Sequence, residues 1–164
     1  MGVSGSGKSS IAKAVADHYH YCFLDADDFH STENKNHMAN GLALTDEMRK
    51  PWVNSIKEYL QEAAEVHKHC VLAFSGLRKE HRNQLRQAGL KTIFIFLNGN
   101  KDIIQQRVNL RQNHFMNPGL VNSQFAALED PTQEMDVHSM EVYESLESVT
   151  NAVISKIEQH LLKT

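Results

Sequence analysis

The chain has 164 residues, of which 41% are apolar and 23% charged, and its formal net charge is −3. That suits one soluble domain and argues against a nucleic-acid protein, which would present a concentrated basic surface. No apolar run approaches the ~18 residues of a membrane span, and no signal-peptide pattern is present, so a cytoplasmic protein without a membrane partner is the expectation.

The run Gly2-Val3-Ser4-Gly5-Ser6-Gly7-Lys8-Ser9 fits the phosphate-loop pattern G-x-x-x-x-G-K-[ST]. Its glycines allow a tight turn whose N–H groups face phosphate oxygens; Lys8 supplies a mobile positive charge, and the Ser9 hydroxyl suits Mg²⁺. A helix over 9–19 adds its positive end to the same anion site, so Gly2 to Ser10 form the expected nucleotide contacts. A buried strand normally delivers such a loop, yet only Met1 precedes Gly2. The first strand is therefore expected either upstream of this sequence or absent, and its absence would leave neighbouring backbone groups unpaired and a void in the core.

A short apolar strand over 21–24 ends at Asp25, and Asp25-Ala26-Asp27-Asp28-Phe29-His30 follows. Ligands of open α/β sheets bind at the carboxyl ends of strands, so these acids are expected to face the phosphate loop. An extended segment would place Asp25 and Asp27 on one side, where phosphoryl transfer to an alcohol needs a carboxylate and Mg²⁺. The alternative is a solvated acidic turn that caps a helix. A short helix over 32–40 stops at Gly41, and a long one follows Thr45, its apolar stripe running through Trp52, Ile56, Leu60 and Ala63. Pro51 places the first turn of that helix at Lys50–Pro51 as an alternative start.

Cys70–Phe74 and Thr92–Leu97 read as strands buried on both faces, with a helix over 79–87 between them. Cys22 and Cys70, both in apolar runs, read as reduced core residues. Arg78, Lys79 and Arg82 could orient an anionic substrate, or could decorate an exposed helix. The strand before them lacks the terminal Asp of a Walker B element, which weighs against motor ATPases and GTPase switches. Arg107 and Arg111, spaced i, i+4, share a face of a helix over 101–111. The segment 112–131 loses periodicity and reads with them as a lid over the nucleotide. A weak strand over 135–139 and a helix over 146–162 close the chain. Ten histidines without H-x-x-x-H or Cys/His spacing speak against zinc. The alternation implies an α/β fold with a parallel sheet flanked by helices, in a single domain over 1–164.

Beyond the phosphate loop, three blocks narrow the resemblance: Phe23-Leu24-Asp25-Ala26-Asp27-Asp28-Phe29-His30, Leu44-Thr45-Asp46-Glu47-Met48-Arg49-Lys50-Pro51-Trp52, and His114-Phe115-Met116 leading to Ser123-Gln124-Phe125. Together with Gly76-Leu77-Arg78-Lys79-Glu80-His81-Arg82, they resemble the gluconokinase family over nearly the whole chain. The resemblance implies a three-layer P-loop kinase fold like that of nucleoside-monophosphate kinases and shikimate kinase, here with its first strand absent or truncated. It also implies ATP- and Mg²⁺-dependent phosphorylation of D-gluconate at its 6-hydroxyl, feeding the pentose phosphate route. Carried over by position, Lys8 and Asp25 would be catalytic, with Ser9 and Asp25 at the metal. Asp27 would hold substrate hydroxyls and Arg49 the gluconate carboxylate, and Arg78, Lys79, Arg82 and His114 would be further substrate or phosphate contacts. Arg107 and Arg111 would serve the lid, set at about 108–130, and 29–66 would form the substrate-binding helical segment. A homodimer is a family-level expectation. Where the family has S-A-L-K this chain has Ser75-Gly76-Leu77-Arg78, and an arginine head differs from a lysine in geometry. Two other readings stand beside this one: a kinase of another small hydroxy acid, and a truncated nucleotide-binding pseudoenzyme.

Overall fold

The computed structural model describes residues 1–110 and 119–162, the side chains of 119 and 120 excepted. Its elements alternate: α1 (Lys8–Tyr19), β1 (Cys22–Asp25), a 3-10 turn (Ala26–Phe29), α2 (Thr32–Ala39), α3 (Asp46–Glu65), β2 (Cys70–Ala73), α4 (Lys79–Arg86), β3 (Phe94–Asn98), α5 (Lys101–Asn109), α6 (Gly119–Ala127), β4 (Val137–Glu141) and α7 (Leu146–Leu161). Among the described residues no helix is long and apolar enough to cross a membrane.

The strands form two parallel pairs, β1 with β2 and β3 with β4. Between the pairs runs Met1–Gly2. The Met1 nitrogen donates to Ile95 O at 2.6 Å, Leu97 N donates to Met1 O at 2.8 Å, and Gly2 N donates to Ser75 O at 3.0 Å. Two residues thus occupy the place where the sequence leads one to expect a whole strand, and their peptide groups pair with β3 and with the exit of β2.

Strand residues alternate between two cores, as side chains on successive positions must. Phe94 and Phe96 of β3 pack with Trp52, Val53, Ile56 and Leu85 on the α3–α4 face. Leu97, with Ile95 packed against it, joins Ile11, Val15, Val149 and Val153 on the α1–α7 face. Helices on both faces of parallel strands are the expected arrangement.

Local chemistry explains most boundaries. Ser31, Thr45, Asn100 and Ser145 each accept a backbone N–H at the start of α2, α3, α5 and α7, respectively. Because Thr45 caps it, α3 begins at Asp46 and runs through Pro51, so the alternative start at Lys50–Pro51 is not used. Residues 119–127, read from sequence as part of an aperiodic stretch, are helical. Tertiary contact holds that helix: Val121 is buried, Phe125 and Ala127 pack on the α1–α7 core, and Gln124 accepts from the phosphate loop.

Candidate active site

The carboxyl ends of β1 and β2, the phosphate loop, and the start of α3 enclose a cavity of about 330 Å³. At its floor the loop turns through Gly5 (φ 84°) and Gly7 (φ 95°), conformations that L side chains rarely adopt. A Cβ at Gly5 would lie 2.6 Å from Val108 Cγ2, so bare backbone lets the loop pass close to α5. Gly7 precedes α1, which has no side-chain cap and no acidic residue in its first turn. The N-terminal N–H groups of α1 stay open to an anion, with Lys8 and Ser9 beside them. Lys8 Nζ donates across the loop to Val3 O at 3.0 Å.

Asp25 ends β1 facing the same loop. Its Oδ2 accepts from Ser9 Oγ at 2.7 Å, and its Oδ1 accepts from Asp27 N at 3.1 Å. Both carboxylate oxygens are therefore oriented. The segment after Asp25 is a 3-10 turn and not the extended run expected from sequence, yet Asp25 and Asp27 both line the cavity.

The opposite wall comes from α3. Arg49 lines the cavity while its Nη1 donates to Asp46 Oδ1 at 3.1 Å. Trp52 is 5% exposed and donates from Nε1 to Ala26 O at 2.6 Å, tying α3 to the acidic turn. His30 stacks on the indole at 4.3 Å and 15° between planes, and Phe74 and His81 back it from other sides. Burial, then the charges of Lys35 and Arg49, push His30 down to about 4, and burial lowers His81 as well. From α6, Gln124 reaches back so that Ser4 N donates to its Oε1 at 2.6 Å, and Ser123 lies on the same wall.

The remaining sequence-derived residues divide. Lys8, Ser9, Ser10, Asp25, Asp27 and Arg49 meet in the cavity with Ser4, Gly5 and Gly7. Arg78 lies outside the lining, between Asp46 (3.6 Å) and Glu129 (3.5 Å). Lys79 is exposed at the start of α4, its backbone N–H donating to Glu129 Oε2 at 2.5 Å. Arg82 corrects the expectation of a substrate contact. Fully buried, it donates to Glu134, to the carbonyls of Gly76 and Leu77, and to Glu129 O, so its guanidinium is committed inside the fold. Arg107 donates to Val142 O at 2.6 Å, joining α5 to the exit of β4. Arg111 and His114 lie outside the described residues.

His30, Trp52, Ser123 and Gln124 are among the cavity-lining residues to which sequence reasoning gave no site role, although each of these four sits in a block that carried the resemblance. Periodicity marked Trp52 as core, which it also is. His30 shows its place only once α3 crosses the acidic turn.

Residues 4–162 match the shikimate kinase family model. The chain is 36% identical to the thermoresistant gluconokinase of Escherichia coli K12, over 97% of this chain and 91% of that protein. It is 37% identical to the gluconokinase of Arabidopsis thaliana, over 98% and 92%. Among solved structures it superposes on a gluconokinase from Sinorhizobium meliloti 1021 with a TM-score of 0.87 at 33% identity, covering 99% of this chain and 93% of that one.

Proposed function

Because the chain belongs to the shikimate kinase family and, within it, to the gluconokinases, we propose that it transfers the γ-phosphoryl group of ATP to the 6-hydroxyl of D-gluconate, releasing ADP and 6-phospho-D-gluconate. One observation carries the reading: the cavity that holds the phosphate loop and the oriented Asp25 carboxylate also holds an arginine, Arg49, on its far wall. A polyol acid needs that pair, a carboxylate near the attacking hydroxyl and a cation for its own carboxylate.

The donor set suits Mg²⁺. Ser9 Oγ and Asp25 Oδ2, 2.7 Å apart, would supply hard oxygen ligands. Among the described residues no group of three or more His, Cys, Asp or Glu side chains gathers to hold a metal alone. That fits an ion which keeps waters and enters with phosphate oxygens. Bound there, Mg²⁺ would neutralise charge on the phosphates. Lys8 and the N–H groups of residues 4–9 hold the triphosphate. Asp25 accepts the proton of the attacking hydroxyl, its orientation fixed by Ser9 and Asp27 N. Asp27 binds substrate hydroxyls, and the segment 29–66 forms the acid-binding wall. Arg78 and Lys79 remain outer contacts for anionic groups, and the lid is assigned to about 108–130 with Arg107 at its root. A homodimer in the cytoplasm is proposed on family grounds, and the mass in solution tests the assembly.

The test is coupled ADP release with MgATP, with and without D-gluconate, beside Asp25→Asn. Gluconate-dependent turnover is expected, lowered ~10²–10⁴-fold in the variant with ATP binding retained. Undiminished turnover by the variant would remove Asp25 from the mechanism. No gluconate turnover by a chain that binds ATP would return the pseudoenzyme or another hydroxy acid as the reading.

A further inference from the structure

Within that proposed reaction, on which this inference rests, His30 is the group that the mechanism has not used. His30 lines the cavity and is, as a residue, 8% exposed. Nδ1 is sealed from solvent with no hydrogen-bond partner. Burying that nitrogen unpaired costs free energy that a phenylalanine in the same stack would not, so packing alone does not account for an imidazole here.

The ring has little freedom. Trp52 covers one face at 4.3 Å, nearly parallel, and is itself held by its bond to Ala26 O and by contact with Phe74. The backbone is held too, since His30 N donates to Asp27 O at 3.3 Å. Burial, and after it the positive charges of Lys35 and Arg49, work against a positive imidazole. A neutral imidazole carries one N–H and one bare nitrogen. An unpartnered lone pair is tolerated in a protein interior more readily than an unpartnered N–H, so the proton belongs on Nε2. Nε2 is then the nitrogen left for a ligand, as an uncharged donor on a rigid plane.

We propose that His30 is a specificity-determining residue that donates from Nε2 to a hydroxyl oxygen of the sugar acid, on the wall between Arg49 and Asp27. The division of labour follows from charge. Arg49 takes the carboxylate, Asp27 accepts from hydroxyls, and a neutral donor reads a hydroxyl oxygen without attracting a second anion into the acid's place. A site that hydrogen-bonds a hydroxyl in this way discriminates strongly against the analogue lacking it.

Two variants test this. His30→Phe keeps the stack on Trp52 and removes the donor; His30→Gln loses the ring but retains an N–H. Steady-state rates are measured for both and for the unsubstituted chain, with D-gluconate and with deoxygluconates each lacking one hydroxyl, alongside the affinity for a fluorescent ATP analogue. His30→Phe is expected to raise KM for gluconate ~10-fold or more, with ATP affinity within about twofold. His30→Gln should recover part of that loss. For one deoxygluconate the penalty seen with the unsubstituted chain should vanish in His30→Phe. An unchanged gluconate KM in His30→Phe would overturn the proposal. So would a His30→Gln variant no better than the phenylalanine, or an equal penalty for every deoxygluconate in both proteins, since each result reduces His30 to packing. If instead the unsubstituted chain binds the ATP analogue but turns over no gluconate, the substrate assignment itself fails, and the two failures are told apart.

Discussion

Arg82 shows what one residue can carry. It is 0% exposed, and its partner Glu134 also holds Arg86, which Asp136 grips at 2.7 and 2.8 Å. An unpaired buried charge costs several kcal/mol, and for that reason Glu134→Gln should destabilise the fold by about 3–5 kcal/mol. For a chain of this size that is a fall in Tm of about 10 °C, readable by differential scanning fluorimetry. The pH dependence has a definite sign. Arg82 first, and Arg86 after it, hold the Glu134 carboxyl below its ordinary value of 4.5, and Arg86 holds Asp136 below 3.8. Their contribution is complete above those unfolded values and is lost as pH falls through the lower folded ones. His30 acts earlier on the same acid side, because its folded value of about 4 lies under the unfolded 6.5. Protons taken up by the unfolded chain alone therefore erode stability from about pH 6.5 downward. Tm against pH should fall in two stretches, with His30→Gln reducing the slope of the upper, to which the lowered His81 also contributes, and Glu134→Gln reducing the lower. A Tm that stays level from pH 7 to 4.5 in the unsubstituted chain would contradict the burial of His30.

Among elements, the phosphate loop is the one whose form depends most on missing side chains. Gly5→Ala would press a Cβ to 2.6 Å from Val108 Cγ2 at a φ of 84°. The loop must then leave α5, and nucleotide affinity should fall at least ~10-fold, since the phosphate-binding N–H groups lose their aim. Gly89→Ala is the control: its φ of 76° is also positive, but nothing lies within 4 Å. It should cost about 1–2 kcal/mol of stability and leave nucleotide binding intact. Titration of a fluorescent ATP analogue separates the two outcomes. The contrast also explains what could be read before the structure. The loop and Asp25 were legible because backbone requirements and position at a strand end are local. The inward course of Arg82 was not, because its acceptors at 129 and 134 lie far along the chain and arginines on a short helix resemble a solvated face. Nor was α6, whose apolar residues run around the helix and leave no 3.6-residue stripe to detect. The Trp52–His30 wall exists only where α3 crosses the turn after β1.

Taken whole, the molecule brings its cavity-lining groups from separate helices to the ends of the β1–β2 pair, so ligands should stabilise it in proportion to how many of these parts they join. Saturating MgATP at ~100 times its Kd should add about 2.7 kcal/mol, a rise in Tm of roughly 5–10 °C, with a further rise on adding gluconate and a nonhydrolysable nucleotide. EDTA should abolish turnover by removing the Mg²⁺ that Ser9 and Asp25 are proposed to hold; turnover that persists in EDTA would take the metal out of the reading. One tether sets how the parts can shift. Glu129 is fastened by its N–H to Leu77 O, by its carbonyl to Arg82 Nη2, and by its carboxylate to Lys79 N and Arg78. It anchors the segment that leaves α6, which ends two residues before it. The helix that brings Gln124 Oε1 to 2.6 Å from Ser4 N is therefore pinned at its exit to the start of α4, and the phosphate loop is braced through it.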